Sequence, residues 1–240
     1  MIEICLIKVP VHISNYSELM NFVCTKKARR IEAYLNKIDA YRSLLSELLM
    51  KYLLMKHLKC HPSDINIQTN TYGKPYCING DYEFNISHSG EWVIGVIGNC
   101  DVGIDIEEMK DNYEDEIIKN YFSSIEYTSY NQTPTEMKKE RFYDLWTLKE
   151  AFVKNIGLGL SIPLDSFSIE TSHNEISIVQ DISPYPYYFK QYNLVTGYKI
   201  SVCSKMNEFP SEQQLKIKEF SALEKIFLNN LILEEDKYYE

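Results

Sequence analysis

The feature of this sequence that most constrains its fold is a change of hydrophobic period that occurs twice along the chain. From Asp39 to Leu53 apolar residues recur at helical spacing, and Asp39 has the character of an N-cap. Short strand-like runs follow, with Gly73-Lys74-Pro75 and Asn79-Gly80-Asp81 as turns. A second helical stretch, Arg141–Ile156, precedes another set of strands. Helices followed by strands, twice over, predict an α+β protein with two similar halves.

The predicted elements divide the chain into three parts. Further helices are expected at 14–34 and 115–121, and the tail is helix-like. The strands are expected at 1–10, 65–69, 82–86, 92–98, 102–107, 167–171, 175–179, 187–193 and 198–204. The parts are therefore an N-terminal α+β half, a C-terminal α+β half and a helical tail packed on the body, at residues 1–102, 103–212 and 213–240. No repeat is visible in the sequence itself, so the likeness of the halves concerns architecture alone.

Composition places the chain among cytoplasmic globular proteins. Of its 240 residues 45% are hydrophobic and 25% are charged, which is ordinary for a folded domain. The apolar runs are far shorter than the roughly 18 residues that a membrane span needs, and Glu3 stands where a secretory signal would carry basic residues. The six cysteines are scattered without a C-x-x-C pair, which argues against a zinc site and a disulfide framework.

The charge balance argues against nucleic acid as a partner. The formal net charge is −9, so nonspecific attraction to phosphate backbones is not expected. One local positive cluster, formed by Lys26, Lys27, Arg29 and Arg30, stands out against this background. On its own the cluster is better explained as a solvated helix face than as an anion site.

Two carboxylates stand two residues apart in a predicted strand. Alternate side chains of a strand share a face, so Asp105 and Glu107 project together while Ile104 and Ile106 point toward the core. Two carboxylates at this spacing are suited to a hard divalent cation such as Mg²⁺, which prefers oxygen ligands. A strand with a solvated acidic face is the alternative, and the pair alone does not decide between them.

A second group of polar residues lies on a predicted helix. Trp146, Glu150 and Lys154 are four residues apart and therefore share one face. Glu150 is suited to be a third metal ligand or a base for a hydroxyl, and Lys154 to neutralise a leaving phosphate. The alternative is a plain ion pair, worth about 0.3–0.5 kcal/mol on a surface helix, and such pairs are the commoner case.

The third signal is a strand that runs into a hydroxyl-rich segment, Phe84–Ser89. Ser87, His88 and Ser89 are expected at a turn, where hydroxyls, backbone N–H groups and an imidazole are phosphate ligands by type. A Ser–His hydrolase is not expected, because Ser87 and His88 are adjacent and point apart, and no G-x-S-x-G elbow is present.

Taken together these blocks resemble the 4′-phosphopantetheinyl transferases, and in particular the larger, surfactin-synthetase-associated type. The matching blocks occur in the family's order and spacing, and they are Gly73-Lys74-Pro75, Phe84–Ser89, Val102–Glu107 and Phe142–Leu160. The resemblance covers about residues 1–210. It rests above all on G-x-D-x-E combined with W-x-x-K-E-x-x-x-K, a combination that is very specific.

The resemblance implies a monomer of two α+β halves related by a pseudo-twofold axis, with coenzyme A bound at their interface. It implies that Asp105, Glu107 and Glu150 hold Mg²⁺, or Mn²⁺ in its place, against the pyrophosphate of the coenzyme. Lys154 would contact the same phosphates and act in catalysis together with Glu150. The positions implied to bind the coenzyme are Lys27, Arg30, Arg42, Lys74, Ser87, His88, Asp105 and Lys154, with His88 at the 3′-phosphate.

The activity implied is transfer of the phosphopantetheinyl arm of coenzyme A to a serine of an acyl or peptidyl carrier protein. Glu150 is the best candidate for accepting the serine proton, and Glu126 or a water molecule are alternatives. A carrier-docking surface is implied at roughly residues 109–127, with Tyr113, Tyr121 and Phe122 as its anchors. The sequence does not distinguish peptide-synthetase carriers from polyketide or fatty-acid carriers.

Three features depart from the family pattern, and two rival functions are open. Arg30 stands where lysine is common, Ser43 stands where threonine is common, and the tail beyond about residue 212 is longer than expected. One rival is a different magnesium-dependent phosphotransferase or nuclease, which leaves the Phe84–Ser89 block without a role. The other is a non-catalytic paralogue that only binds carriers or coenzyme A, and such a protein should have lost the acids or Lys154.

Overall fold

The computed structural model of the protein describes residues 1–111, 115–172 and 175–237. Within these residues seven α-helices, four short 3-10 helices and eleven strands form. The helices are α1 Tyr16–Met20, α2 Thr25–Glu32, α3 Lys37–Leu58, α4 Asp115–Tyr121, α5 Ser124–Gln132, α6 Thr135–Ile156 and α7 Phe220–Lys237. The strands are β1 Ile2–Lys8, β2 Ile67–Thr69, β3 Pro75–Cys77, β4 Glu83–Ser89, β5 Trp92–Gly98, β6 Val102–Glu108, β7 Ser168–Ser172, β8 Glu175–Val179, β9 Tyr188–Tyr192, β10 Tyr198–Ser204 and β11 Lys216–Lys218.

The first sheet has the strand order β11-β1-β5-β4, and helix α3 covers one of its faces. Strands β1, β5 and β4 pair antiparallel, whereas β11 is parallel to β1. Helix α3 begins after Asn36, whose side chain accepts a hydrogen bond from the N–H of Ile38, and it ends at Lys59 in the left-handed region. Its apolar side chains, among them Leu45 and Leu49, form the first core with residues such as Val93.

The second sheet has the order β6-β10-β9 and is antiparallel throughout, with helix α6 packed on one face. Gly157 ends α6 with a positive φ of 75°, a conformation that glycine adopts without strain. Leu148 and Phe152 of this helix form the second core together with Phe167.

A third apolar cluster lies between the two sheets. It contains Ile4 and Ile94 from the first sheet and Ile104, Ile200 and Val202 from the second. Each sheet therefore has a long helix on one face and the other sheet on its second face. This arrangement explains why β5 and most of β6 are buried on both faces. The polar end of β6, at Asp105 and Glu107, is thus held by apolar packing on both sides.

Several boundaries differ from the sequence-based expectation. Asn36, not Asp39, caps α3, and Asp39 lies in the first helical turn, where it pairs with Arg42. Helix α6 starts at Thr135 instead of near Arg141. Helix α5 was not predicted. Its capping box at Ser123 and its few apolar residues give a weak periodic pattern.

The tail was predicted to be helical throughout, and this was wrong in its first part. Strand β11 extends the first sheet, and the helix begins only at Phe220. The expectation that the tail packs against the body is confirmed, because Leu223 and Phe227 are fully buried in the first core. Among the described helices, none combines the length and apolar character needed to cross a bilayer.

Candidate active site

The site is built where helix α6 lies directly against strand β6. A Cβ placed on Gly103 would stand 2.1 Å from the backbone oxygen of Ala151 and 2.4 Å from the backbone nitrogen of Asn155. No side chain fits at that position, so the glycine of G-x-D-x-E is what allows the helix to approach. The close approach brings Glu150 and Lys154 of α6 next to Asp105, two residues beyond Gly103.

Lys154 and Ser87 converge on one oxygen of Asp105. The Lys154 Nζ atom lies 2.5 Å from Oδ1 of Asp105 and 3.0 Å from Oγ of Ser87. The Ser87 hydroxyl donates to the same Oδ1 at 2.8 Å. Asp105 is only 2% exposed, and its second oxygen, Oδ2, is buried without a hydrogen-bond partner in the described part of the chain.

The remaining two acids add further negative charge to this point. Burial raises the pKa of Glu107 to about 7, and the nearby Asp105 and Glu150 charges contribute to the rise. Burial likewise raises the pKa of Glu150, with a contribution from Asp105 that Lys154 opposes. Burial alone would lower the pKa of Lys154, but the charges of Asp105, Glu150 and Glu107 outweigh it and raise that pKa. Three carboxylates therefore share one ammonium group.

The donor atoms of this site are suited to a divalent cation. The orphaned Oδ2 of Asp105 is a hard oxygen donor with no partner, and the surplus negative charge is of the kind that Mg²⁺ neutralises. Among the residues that the structure describes, however, no three His, Cys, Asp or Glu side chains are already grouped as ligands. The three acids predicted as ligands thus lie close enough to interact electrostatically, but they do not form a closed coordination shell.

The serine-rich segment is a strand and not the predicted turn. Strand β4 stays paired with β5 as far as Ser89, opposite Trp92, because the reversal occurs at Gly90 with a φ of +52°. Ser87 and His88 consequently point to opposite faces of β4. Ser87 faces Asp105, whereas His88 is close enough to Arg42 that partial burial and the Arg42 charge lower the pKa of the imidazole.

The predicted basic residues lie in different places around this center. Arg42 donates to the carbonyl of Gly90 at 3.0 Å, so it is fixed at the β4–β5 turn. Lys74 is mostly buried and donates to the carbonyl of Asn155 at 2.7 Å, and burial lowers the pKa of its ammonium group. Lys27 pairs with Glu47 at 3.0 Å, and Arg30 is exposed on α2.

A cavity of about 310 Å³ opens beside the acidic group. Its lining comes from both sides of position 102 and includes Lys74, Asn85, Glu150 and Lys154, with apolar side chains such as Ile162. Neither Lys27 nor Arg30 appears among its described lining residues. The cavity thus combines two cations, one acid and an apolar wall, a lining that suits an anionic ligand with an aliphatic part.

Glu126, the alternative proton acceptor, lies in a buried ion pair. Its carboxylate is 1% exposed and accepts from Lys149 Nζ at 2.8 and 2.6 Å. It also accepts from the backbone N–H groups of Ser123 and Ile169, each at 2.8 Å. A carboxylate that accepts four contacts from three such donors and has no access to solvent holds α5, α6 and β7 together and is not placed to take a substrate proton.

The residues predicted to anchor a carrier protein differ in their exposure. Tyr121 is 46% exposed and packs edge-on against Trp146. Phe122 is buried and stacks on Phe142, so it is a core residue and not available as an anchor. Tyr113 lies outside the described residues.

Two residues next to the acids make contacts with β6 that the sequence analysis did not predict. Asn85 accepts from the N–H of Ile104 at 2.9 Å, and Ser89 donates to Oε2 of Glu107 at 2.8 Å. Both belong to the same alternating face of β4 as Ser87. The period-two spacing that was applied to Asp105 and Glu107 would have selected them.

Sequence comparison agrees with this geometry. A model of the 4′-phosphopantetheinyl transferase superfamily matches residues 101–203, and a model described as 4′-phosphopantetheinyl transferase, N-terminal, matches residues 11–99. The chain is 37% identical to 4′-phosphopantetheinyl transferase Sfp of Bacillus subtilis (strain 168), over 85% of this chain and 91% of that protein. It is 35% identical to 4′-phosphopantetheinyl transferase gsp of Aneurinibacillus migulanus, over 99% of this chain and 100% of that protein.

These matches show that the chain belongs to the 4′-phosphopantetheinyl transferase family. The alignment with gsp includes almost the whole chain, so this relative has a tail of similar length. Among solved structures, holo-[acyl-carrier-protein] synthase of Thermotoga maritima is similar at a TM-score of 0.38 and 16% identity, over 44% of this chain and 62% of that one. Nothing is concluded from so low a similarity.

Proposed function

We propose that this enzyme transfers the 4′-phosphopantetheinyl group of coenzyme A to a serine of an acyl or peptidyl carrier protein. The observation that carries the proposal is the convergence of Asp105, Glu107, Glu150 and Lys154 beside a cavity with polar and apolar walls. The family matches support the same reaction, since the relatives are named for it.

The reaction replaces the phosphoanhydride bond of coenzyme A by a phosphodiester bond to the carrier protein. The oxygen of the carrier serine forms a bond to the β-phosphorus of coenzyme A, and the bond from that phosphorus to the bridging oxygen breaks. Adenosine 3′,5′-bisphosphate leaves with the electron pair of the broken bond. In such transfers most of the acceleration comes from positioning and from charge stabilisation.

Each charged residue has a role that its surroundings favour. Lys154 provides a positive charge for the pyrophosphate, and its raised pKa keeps that charge at neutral pH. Glu150 is the favoured acceptor of the serine proton, because burial raises its pKa toward the range of an effective general base. Lys74, which lines the same cavity, is placed to bind the anionic coenzyme.

The metal set is proposed on the same grounds. Asp105, Glu107 and Glu150 would hold Mg²⁺, or Mn²⁺, which when bound screens phosphate charge and stabilises the anionic transition state. The unpartnered Oδ2 of Asp105 and the raised pKa of Glu107 support this assignment.

We also propose that the chain is a monomer of two halves, 1–102 and 103–212, related by a pseudo-twofold axis, with the tail 213–240 added to the first. The support is that α3 and α6 have the same length of 22 residues and that each covers one face of a sheet whose strands, apart from β11, are antiparallel. Strand β11 and helix α7 join the first half alone.

Mass spectrometry of a carrier protein tests the activity. An apo carrier is incubated with the protein, coenzyme A and Mg²⁺, and we expect one serine to gain one phosphopantetheinyl group. Asp105→Asn should nearly abolish the reaction, whereas Glu170→Gln, which removes an exposed strand carboxylate elsewhere, should not affect it. Unmodified carriers of both the acyl and the peptidyl class would refute the proposed transfer. Full activity of Asp105→Asn would refute the metal assignment.

A further inference from the structure

The two sheets meet along one edge strand of each, and side-chain hydrogen bonds join these two strands. Strand β4 is the edge of the first sheet and β6 the edge of the second. The N–H groups of Ile104, Ile106 and Glu108 donate to side-chain oxygens of β4 at 2.9, 3.4 and 3.1 Å. The accepting residues are Asn85, Ser87 and Ser89, each 19 positions earlier in the chain than its donor. A constant offset means that the two strands run parallel, with side chains in the place of backbone carbonyls.

Ser87 and Ser89 each make a second side-chain hydrogen bond, and within the described residues Asn85 makes none. A hydroxyl has one proton and two lone pairs. In Ser89 one lone pair accepts the N–H of Glu108, and the proton is donated to Oε2 of Glu107 at 2.8 Å. Ser87 is arranged in the same way, with Ile106 as donor and Asp105 as acceptor. Asn85 stands beside Gly103, which has no side chain to orient.

We propose that Ser89 is a positioning residue that fixes the direction of the Glu107 carboxylate through this bond. The inference rests on the proposed function, in which Glu107 is a metal ligand. Glu107 has three rotatable side-chain bonds and is only partly buried, so packing alone does not fix its carboxylate. Ser89 is held by the β4–β5 ladder and by the N–H of Glu108. The hydroxyl therefore has a defined position from which to orient the acid.

Loss of the hydroxyl should weaken metal binding without removing any ligand. Partners that orient metal ligands typically contribute 10- to 100-fold to affinity, so Ser89→Ala is expected to weaken Mn²⁺ binding by roughly 10-fold. Ser89→Thr keeps the hydroxyl and should bind Mn²⁺ nearly as wild type does. The matched control is Ser204→Ala, because Ser204 also accepts a backbone N–H, that of Met206 at 3.0 Å, at the end of a strand.

The experiment titrates the full-length protein with Mn²⁺ by electron paramagnetic resonance, in saturating coenzyme A and without carrier protein. Thermal unfolding of each variant is measured in parallel. The inference is supported if Ser89→Ala alone loses affinity and Ser89→Thr restores it. It is overturned if Ser89→Ala binds Mn²⁺ like wild type, or if Ser204→Ala loses as much.

The design separates three further outcomes. If Ser89→Ala is too unstable to titrate, Ser89→Cys, which keeps the shape but donates weakly, replaces it with the same expected loss. If the wild-type protein modifies its carrier and binds Mn²⁺ while the Ser89 variants match it, only the positioning role is refuted. If the wild-type protein itself binds no Mn²⁺, the proposed metal set fails and the role of Ser89 fails with it.

Discussion

The ammonium group of Lys154 lies 2.5 Å from Oδ1 of Asp105, and this ion pair joins helix α6 to strand β6 at the center of the site. The Asp105 side chain is 3% exposed and that of Lys154 is 27% exposed. A carboxylate so deeply buried is stable only because a positive charge and a hydroxyl contact it. Lys154 thus has a structural role in the free protein besides the catalytic one proposed for it.

Replacing Lys154 by methionine should separate these two roles. Without the ammonium group Asp105 is a buried charge without its partner, so the unfolding temperature should fall. Mg²⁺ should then raise that temperature more in Lys154→Met than in the wild type, because the ion no longer competes with Lys154 for Asp105. Carrier modification should fall about 100-fold or more, as when other groups that stabilise a transition-state charge are removed. Equal stabilisation of both proteins by Mg²⁺ would contradict the competition.

Gly103→Ala should be strongly destabilising. The added methyl group would meet backbone atoms of Ala151 and Asn155, which cannot move aside as a side chain can. Overpacking of a core typically costs about 1–3 kcal/mol, and here helix α6 itself must shift, so we expect the upper end of that range. Gly98→Ala is the control, because its methyl group would meet a Val102 side-chain carbon at 3.2 Å and no backbone atom closer than 3.6 Å. Chemical denaturation measures both, and a similar loss in the two variants would contradict the role given to Gly103.

Glu126→Gln should reduce stability and leave the chemistry intact. It leaves Lys149, whose side chain is 0% exposed, without its carboxylate, and breaking a buried pair costs about 3–5 kcal/mol. Lys149→Met should cost a similar amount, and the double variant less than the sum of the two. The pH dependence of carrier modification, measured on folded protein at low temperature, should match that of the wild type. If the pH profile of Glu126→Gln lacked a limb that the wild-type profile has, Glu126 would again be a candidate for the proton acceptor.

The sequence allowed the order of the main elements and the three acids to be predicted because both depend on local periodicity. Strand β6 and the last four turns of α6 have apolar residues at regular spacing, and the acids occupy fixed places within that spacing. Strand β11 has only three residues, and its partner β1 is more than 200 positions away, as the Glu3–Lys216 contact shows. No local sequence pattern predicts a pairing between strands so far apart in the chain.

The roles of individual polar residues were harder to predict than their presence. Glu126 and Glu150 are both acids near a lysine, and the difference between them is burial, which depends on how α5 packs against β7. Ser87 was predicted at a turn because the strand was expected to end at residue 86, whereas it continues to Ser89. The extra pairs, as far as Ser89 opposite Trp92, depend on β5 being long enough to receive them.

Glu3 should make the stability of the protein depend on pH in the acid range. Burial of Glu3 acts to raise its pKa, but hydrogen bonds from Lys216, Lys56 and His57 outweigh this and lower the pKa to about 2 from an ordinary value of 4.5. The folded state therefore binds the proton less readily than the unfolded chain does. The resulting stabilisation is complete above about pH 4.5 and is lost as the pH falls toward 2.

Comparison of the wild type with Glu3→Gln isolates this contribution, because glutamine does not titrate. The difference in the free energy of unfolding between the two should be largest above pH 5 and should shrink steadily on acidification. Glu91→Gln is the control, since Glu91 is 67% exposed in its pair with Lys8 and such pairs contribute about 0–1 kcal/mol. Urea unfolding at several pH values measures all three proteins. If the difference in the free energy of unfolding between the wild type and Glu3→Gln stayed constant with pH, the pKa of Glu3 would not be lowered in the folded state. Because Lys216 belongs to β11, a difference that shrinks on acidification would also mean that the tail strand is held to the first sheet by charge as well as by backbone pairing.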